Sequence, residues 1–79
     1  MFHILYTMKK IKKIKIKLNG KPKIIKGNYK IKNLVSDLKI PIKKVAIELN
    51  QEILDKKKLS KLRIKNNDEI EIVHFIGGG

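Results

Sequence analysis

Asp68-Glu69-Ile70-Glu71-Ile72-Val73-His74-Phe75-Ile76-Gly77-Gly78-Gly79 closes the 79-residue chain, and its first half decides the fold. In an extended segment Ile70 and Ile72 share one face while Val73 and Phe75 reach the other, and a strand that is apolar on both faces belongs in the middle of a sheet. Asn66-Asn67-Asp68 just ahead of it is a turn signal. Behind it come three residues without a Cβ, which can extend, bend and pass through a channel too narrow for other side chains. A glycine-rich end also has a bland reading, because chain ends fray and tags are often glycine-rich.

Working outward, Ile14-Lys15-Ile16-Lys17-Leu18 alternates strictly, with the apolar residues on one face and lysines on the other. Asn19-Gly20 follows, a dipeptide suited to the positive φ angles of a tight hairpin turn, so a second strand returns near Lys23-Ile24-Ile25-Lys26. Ile11, Ile14 and Leu18 also fit a helical stripe, but the β-branched content and the Asn-Gly turn favour strand. After Gly27-Asn28, the residues Ile31, Leu34, Val35 and Leu38 fall at helical spacing. Asn28 is the candidate N-cap and Pro41 the expected stop. Val45-Ala46-Ile47-Glu48-Leu49 reads as a third strand ending at the turn residue Asn50. Ile53-Leu54 reads as a very short fourth, Lys56-Lys57-Lys58 as a solvated loop, and Leu59, Leu62 and Ile64 as a plug at one edge of the core. A hairpin, a helix and short strands around a central C-terminal strand make an α+β fold of the β-grasp (ubiquitin-like) type, four to five strands of mixed sheet packed on one helix. Residues 1–10 read as an N-terminal extension and 11–79 as the domain.

Composition narrows the chemistry. Seventy-nine residues make one domain, near the lower size at which a core holds without staples, and leave little room for an enclosed active site. With no cysteine there are no disulfides, thiolate metal sites or cysteine nucleophiles, which is compatible with a reducing, cytoplasmic setting. No segment approaches the roughly 20 apolar residues that span a bilayer. The apolar opening Met1–Met8 lacks the basic flank and cleavage site of a signal peptide, and Met8 is a possible start.

The formal charge of +13 suggests a polyanion partner, yet 19 of the 20 basic residues are lysine and only Arg63 is arginine. Bidentate reading of phosphate or guanine favours arginine. The four aromatics, Phe2, Tyr6, Tyr29 and Phe75, do not interleave with basic residues as a stacking platform would. Both features argue against nucleic acid and for a solvated lysine surface, although a small basic nucleic-acid-binding module stays open as an alternative. The charge is uneven: residues 1–36 hold eleven lysines and no acid, whereas all seven acids lie in 37–79.

The segments Val45-Ala46-Ile47-Glu48-Leu49-Asn50-Gln51-Glu52-Ile53 and Asp68 to Gly79, with Leu18-Asn19-Gly20, resemble the sulfur-carrier proteins of thiamin thiazole synthesis, the ThiS family. The resemblance covers about residues 12–79. Lys30, Lys39 and Asn67 depart from it, standing where Thr, Gly and Gly are usual; Asn67 still tolerates the left-handed conformation. The resemblance implies a carrier and co-substrate for partner enzymes, not an enzyme. The Gly79 carboxylate would be adenylated by a ThiF-type partner using ATP, with no cofactor bound to the chain itself. A cysteine desulfurase or sulfurtransferase would supply sulfur for a thiocarboxylate at Gly79, and thiazole synthase would receive it. Gly77 and Gly78 would let the tail thread to the nucleotide. The small subunit of molybdopterin synthase and the protein-conjugating modifiers are the nearest alternatives, sharing a terminal-glycine β-grasp design.

Val73 and Phe75, with Ala46 on a neighbouring strand, are the candidate apolar centre of a partner-docking patch; completion of a second minor core, or cover by the N-terminal extension, is the competing reading. His74 invites thoughts of metal or acid–base chemistry, but the only other histidine is His3 and no cluster has ligand spacing. Glu69 and Glu71 share a strand face without a pocket, as solvated charges do. Asn19-Gly20 reads as a turn, and no glycine has phosphate-loop spacing.

Overall fold

A computed structural model describes residues 12–75. The expected extension, residues 1–10, and the tail residues Gly77, Gly78 and Gly79 lie outside this range. Strands β1 (Lys13–Leu18) and β2 (Lys21–Lys26) form an antiparallel hairpin in which Leu18 faces Lys21 and Ile14 faces Ile25. Asn19 (φ 51°) and Gly20 (φ 81°) both take the left-handed conformation, as a two-residue turn between right-twisted strands requires. β2 is an outer strand of the sheet, and Lys21, Pro22, Lys23 and Lys26 blunt its edge.

Helix α1 (Ile31–Asp37) buries Ile31, Leu34 and Val35, the stripe that the spacing dictates, and Leu38 packs beside them. Both helix ends differ from the sequence expectation. Asn28 does not cap: it sits at φ 92° and accepts a hydrogen bond from Arg63 Nη1 at 2.6 Å. Lys30 holds the cap position, with Asn33 Oδ1 accepting its N–H at 2.9 Å. The unpaired N–H groups of Ile31 and Lys32 donate to the carbonyls of Leu62 and Leu59, so the loop that plugs the core also satisfies the helix start. At the other end the helix stops ahead of Pro41. Lys39 adopts φ 57°, its N–H donates to the Ser36 carbonyl and that of Ile40 to the Val35 carbonyl. This is a Schellman stop, with lysine in the place glycine fills most cheaply.

A 3₁₀ turn (Ile42–Lys44) leads into β3 (Val45–Leu49), which pairs with the two-residue β4 (Glu52–Ile53) through left-handed Asn50 and Gln51. Lys56–Lys58, expected as loop, forms a second 3₁₀ turn because Asp55 Oδ1 accepts the Lys57 N–H at 2.9 Å. β5 (Glu69–His74) lies at the centre of the sheet, whose order is β2-β1-β5-β3-β4. It runs parallel to β1 and antiparallel to β3.

The core lies between α1 and one face of this sheet. Ile16, Ile25, Val45, Ile47, Ile70 and Ile72 meet the helix residues, and Leu59 and Ile64 close one side. No polar side chain among the described residues is buried with them. Asparagines tie the turns to the inner strands β5 and β1. Asn19 Oδ1 accepts the Ile72 N–H at 2.7 Å, Asn50 Oδ1 the Glu69 N–H at 2.9 Å, and Asn66 Oδ1 the Lys15 N–H at 2.9 Å.

Candidate functional site

The side of the sheet away from α1 is where the expected patch appears. Cross-strand partners share a face, and the register places Ala46 directly opposite Val73. Val73 is 51% exposed and Phe75 55%, while Ala46 is half-buried. The three predicted patch residues are thus brought to one end of one face. Among the described residues they do not form a second core: the seven-residue helix covers the Ile70 and Ile72 side of β5 and leaves Val73 and Phe75 exposed.

Backbone geometry fixes Phe75 although it lies past the end of β5. Its N–H donates to the Lys44 carbonyl at 2.9 Å, continuing the antiparallel ladder by one step. Lys56 Nζ sits 5.2 Å from the centre of the Phe75 ring, a cation–π contact that shields part of the apolar surface. Ile53, 74% exposed and paired with Glu48, extends the apolar edge on the same face. Sequence reasoning passed over both: Ile53 looked like a strand residue in general and Lys56 like one lysine of a run. The signal that could have found Ile53 is parity, since a strand paired to Glu48 must turn Ile53 to the face of Glu48.

Next to the apolar end lie acids. Glu48 and Glu71 are directly opposed across β3 and β5, an arrangement that repels unless a cation comes between them. Glu69 stands beside Lys17 across the parallel pair, and beyond it β1 presents lysines. The face therefore grades from basic through acidic to apolar toward the end of β5. His74 is exposed, and among the described residues no group of three or more His, Cys, Asp or Glu is placed to hold a metal ion. A hollow of about 520 Å³ is lined by Lys12, Ile14, Gly27, Asn28, Arg63, Ile64 and Lys65. It lies at the start of β1, the opposite end of the molecule from Phe75, because β5 begins alongside the end of β1 and runs on in the same direction.

Among the described residues, Tyr29 outside the patch is a perturbed titratable group. The Tyr29 hydroxyl donates to Asp37 Oδ2, and that hydrogen bond, with some desolvation and the carboxylate charge, raises the phenol above its ordinary value of 10.0. The contact ties the segment before α1 to the helix C-terminus and plays no part in the patch.

A mixed five-stranded sheet wrapped on one helix, with the chain leaving from the central strand, defines a β-grasp protein of the ubiquitin-like class. The crystal structure of the thiamine biosynthesis protein ThiS from Geobacter metallireducens matches with a TM-score of 0.75 and 30% sequence identity, over 84% of this chain and 100% of that one. The sulfur carrier protein ThiS of Bacillus subtilis is 38% identical over 65 residues, 81% of this chain and 98% of that one. A thiazole synthase of Paramagnetospirillum magneticum is 33% identical over 66 residues, 84% of this chain. The chain spans 20% of the length of that synthase and of a second one from Magnetococcus marinus. The ThiS family model matches residues 16–79, through the last glycine, and the chain belongs to the ThiS family.

Proposed function

We propose that this chain is a sulfur carrier of thiamin thiazole biosynthesis, a protein co-substrate that works in the cytoplasm, binds no cofactor and does no catalysis of its own. The observation that carries the reading is a family match that continues without a break through Gly77, Gly78 and Gly79. The two thiazole synthases that contain a stretch similar to this chain support thiazole synthase as the acceptor.

The chemistry follows from the carboxylate. A carboxylate is a poor acyl electrophile, so the Gly79 oxygen must first attack the α-phosphorus of ATP in a ThiF-type partner, expelling pyrophosphate and forming an acyl-adenylate. Sulfur from a cysteine desulfurase or sulfurtransferase then displaces AMP at the Gly79 carbonyl carbon, and the resulting thiocarboxylate is the donor to thiazole synthase. Gly77 and Gly78 supply reach without side chains. The globular body stays outside the partner's site and docks through Val73, Phe75 and Ala46.

The test is to incubate the chain with ATP, the ThiF-type enzyme and a sulfur source, and to weigh it intact. The expected gain is the exchange of one oxygen for one sulfur at Gly79. A chain carrying one added residue after Gly79 should show no gain, and unchanged loading of that extended chain would sink the assignment.

A further inference from the structure

β5 outruns β1. The parallel pairing of the two strands covers only Lys17 with Glu69 and Leu18 with Ile70, and then β1 turns away at Asn19-Gly20. Along β5, residues 68, 70, 72 and 74 point their peptide groups toward the β1 side, whereas Glu69 and Phe75 exchange bonds on the β3 side. The Asn19 side chain takes the Ile72 N–H. Beyond it, among the described residues, neither the Ile72 carbonyl nor the N–H and carbonyl of His74 has a backbone partner. The central strand of the sheet thus ends as an open edge.

This edge lacks the protection seen elsewhere in the molecule. The outer strand β2 carries Lys21, Pro22, Lys23 and Lys26, devices that discourage another strand from adding. The segment Ile72-Val73-His74 carries none of them, and it borders the exposed Val73 and Phe75.

We propose that the upper edge of β5, at Ile72 and His74, is a strand-addition site for an extended segment of the activating enzyme. The inference rests on the sulfur-carrier reading, and continuity identifies the occupant. A tail of glycines offers a partner no side chains, only peptide N–H and C=O groups, so an enzyme that holds it must do so largely with main-chain hydrogen bonds. The peptide groups of His74 and Ile72 continue that same line into the domain. The face alongside sets the chemistry of the segment. An apolar residue packs beside Val73, and a basic one, next on the same face, lies beside Glu71, whose charge Glu48 repels from the far side.

The experiment compares His74→Pro with His74→Ala. The His74 N–H has no partner among the described residues, and proline is tolerated at an edge, so both variants should fold. In calorimetric titration with the ThiF-type enzyme, His74→Ala is expected to bind like wild type and His74→Pro about tenfold more weakly, as loss of one main-chain hydrogen bond implies. Equal affinities for the two variants would overturn the site. Should proline perturb the fold, amide hydrogen exchange on the wild-type chain decides: the His74 amide is expected to exchange freely alone and to become protected in the complex. An amide that stays unprotected overturns the proposal. So does one already protected in the free chain that is released by deleting residues 1–11, which would make the chain's own N-terminal segment the occupant. A concentration-dependent dimer abolished by His74→Pro overturns it in favour of a second copy. Wild-type loading with sulfur is scored in parallel, so failure of the carrier reading shows as no loading at all, and failure of the edge as normal loading by both variants.

Discussion

Asn19 performs two tasks that can be separated by substitution. Its backbone holds φ 51° in the hairpin turn, and its Oδ1 accepts the part-buried Ile72 N–H at 2.7 Å, across 53 residues of sequence. Asn19→Gly keeps the turn, since glycine takes the left-handed conformation freely, but leaves the Ile72 N–H without its acceptor, at a cost of about 1–3 kcal/mol. Asn19→Ala loses the acceptor and also the short polar side chain that lets asparagine tolerate the left-handed region, adding up to about 1–2 kcal/mol. Together this is up to roughly 2–5 kcal/mol, a large fraction of the roughly 5–15 kcal/mol that holds an ordinary domain folded. Asn19→Asp retains both an acceptor and tolerance of positive φ, and should lie nearest to wild type. Urea unfolding gives the order of stabilities, and hydrogen exchange at the Ile72 amide shows whether the bond itself is responsible. If Asn19→Gly is as stable as wild type, or the Ile72 amide keeps its protection in that variant, the hairpin does not clamp the central strand in the way derived above.

Lys39→Gly should stabilise the protein by about 0.5–1 kcal/mol, because it relieves a left-handed Cβ at the helix stop; a lowered urea midpoint would contradict the Schellman account. Tyr29 holds its proton more tightly folded than unfolded, so its contribution is complete below pH 10.0 and is lost as pH rises through the higher folded value. The tyrosinate absorbance of Tyr29 should therefore appear at higher pH in the folded chain than in the urea-unfolded chain, and Tyr29→Phe should flatten the alkaline loss of stability. Phe75→Ala removes a ring that is 55% exposed and its contact with Lys56, so folding should lose less than about 1 kcal/mol while affinity for the activating enzyme falls by more than about 1 kcal/mol. Equal losses in the two assays would return Phe75 to a structural role.

The elements that sequence places correctly are those with a period. β1, β3, β5 and the stripe of α1 carry their own apolar spacing, and the Asn19-Gly20 turn carries its own backbone preference. The helix ends did not follow from spacing because they depend on distant groups: the carbonyls of Leu59 and Leu62 satisfy the first turn, and Asn28 is held by Arg63, 35 residues away. Lys39 is an unfavourable residue for its place, and only the surrounding hydrogen bonds put it there. The exposed apolar end of the face was legible as Val73, Phe75 and Ala46, and the register sets 46 opposite 73. Ile53 joins it only through register, because 53 pairs with 48.

The charge of the chain makes sense once the faces are assigned. Among the described residues a single short helix covers one side of the sheet, and the other side carries Val73, Phe75, Ile53 and Ile24, all more than half exposed. Exposed apolar residues on a sheet invite self-association, and a formal net charge of +13 opposes it by repulsion between copies. Lysines alternate along β1 and β2, whereas Glu48, Glu69 and Glu71 border the apolar patch at the end of β5, where Lys56 lies over the Phe75 ring. A basic surface that spreads evenly would repel copies and cationic partners alike. Concentrating the acids beside the patch leaves one region of the molecule approachable, and it is the region from which the chain continues to Gly79.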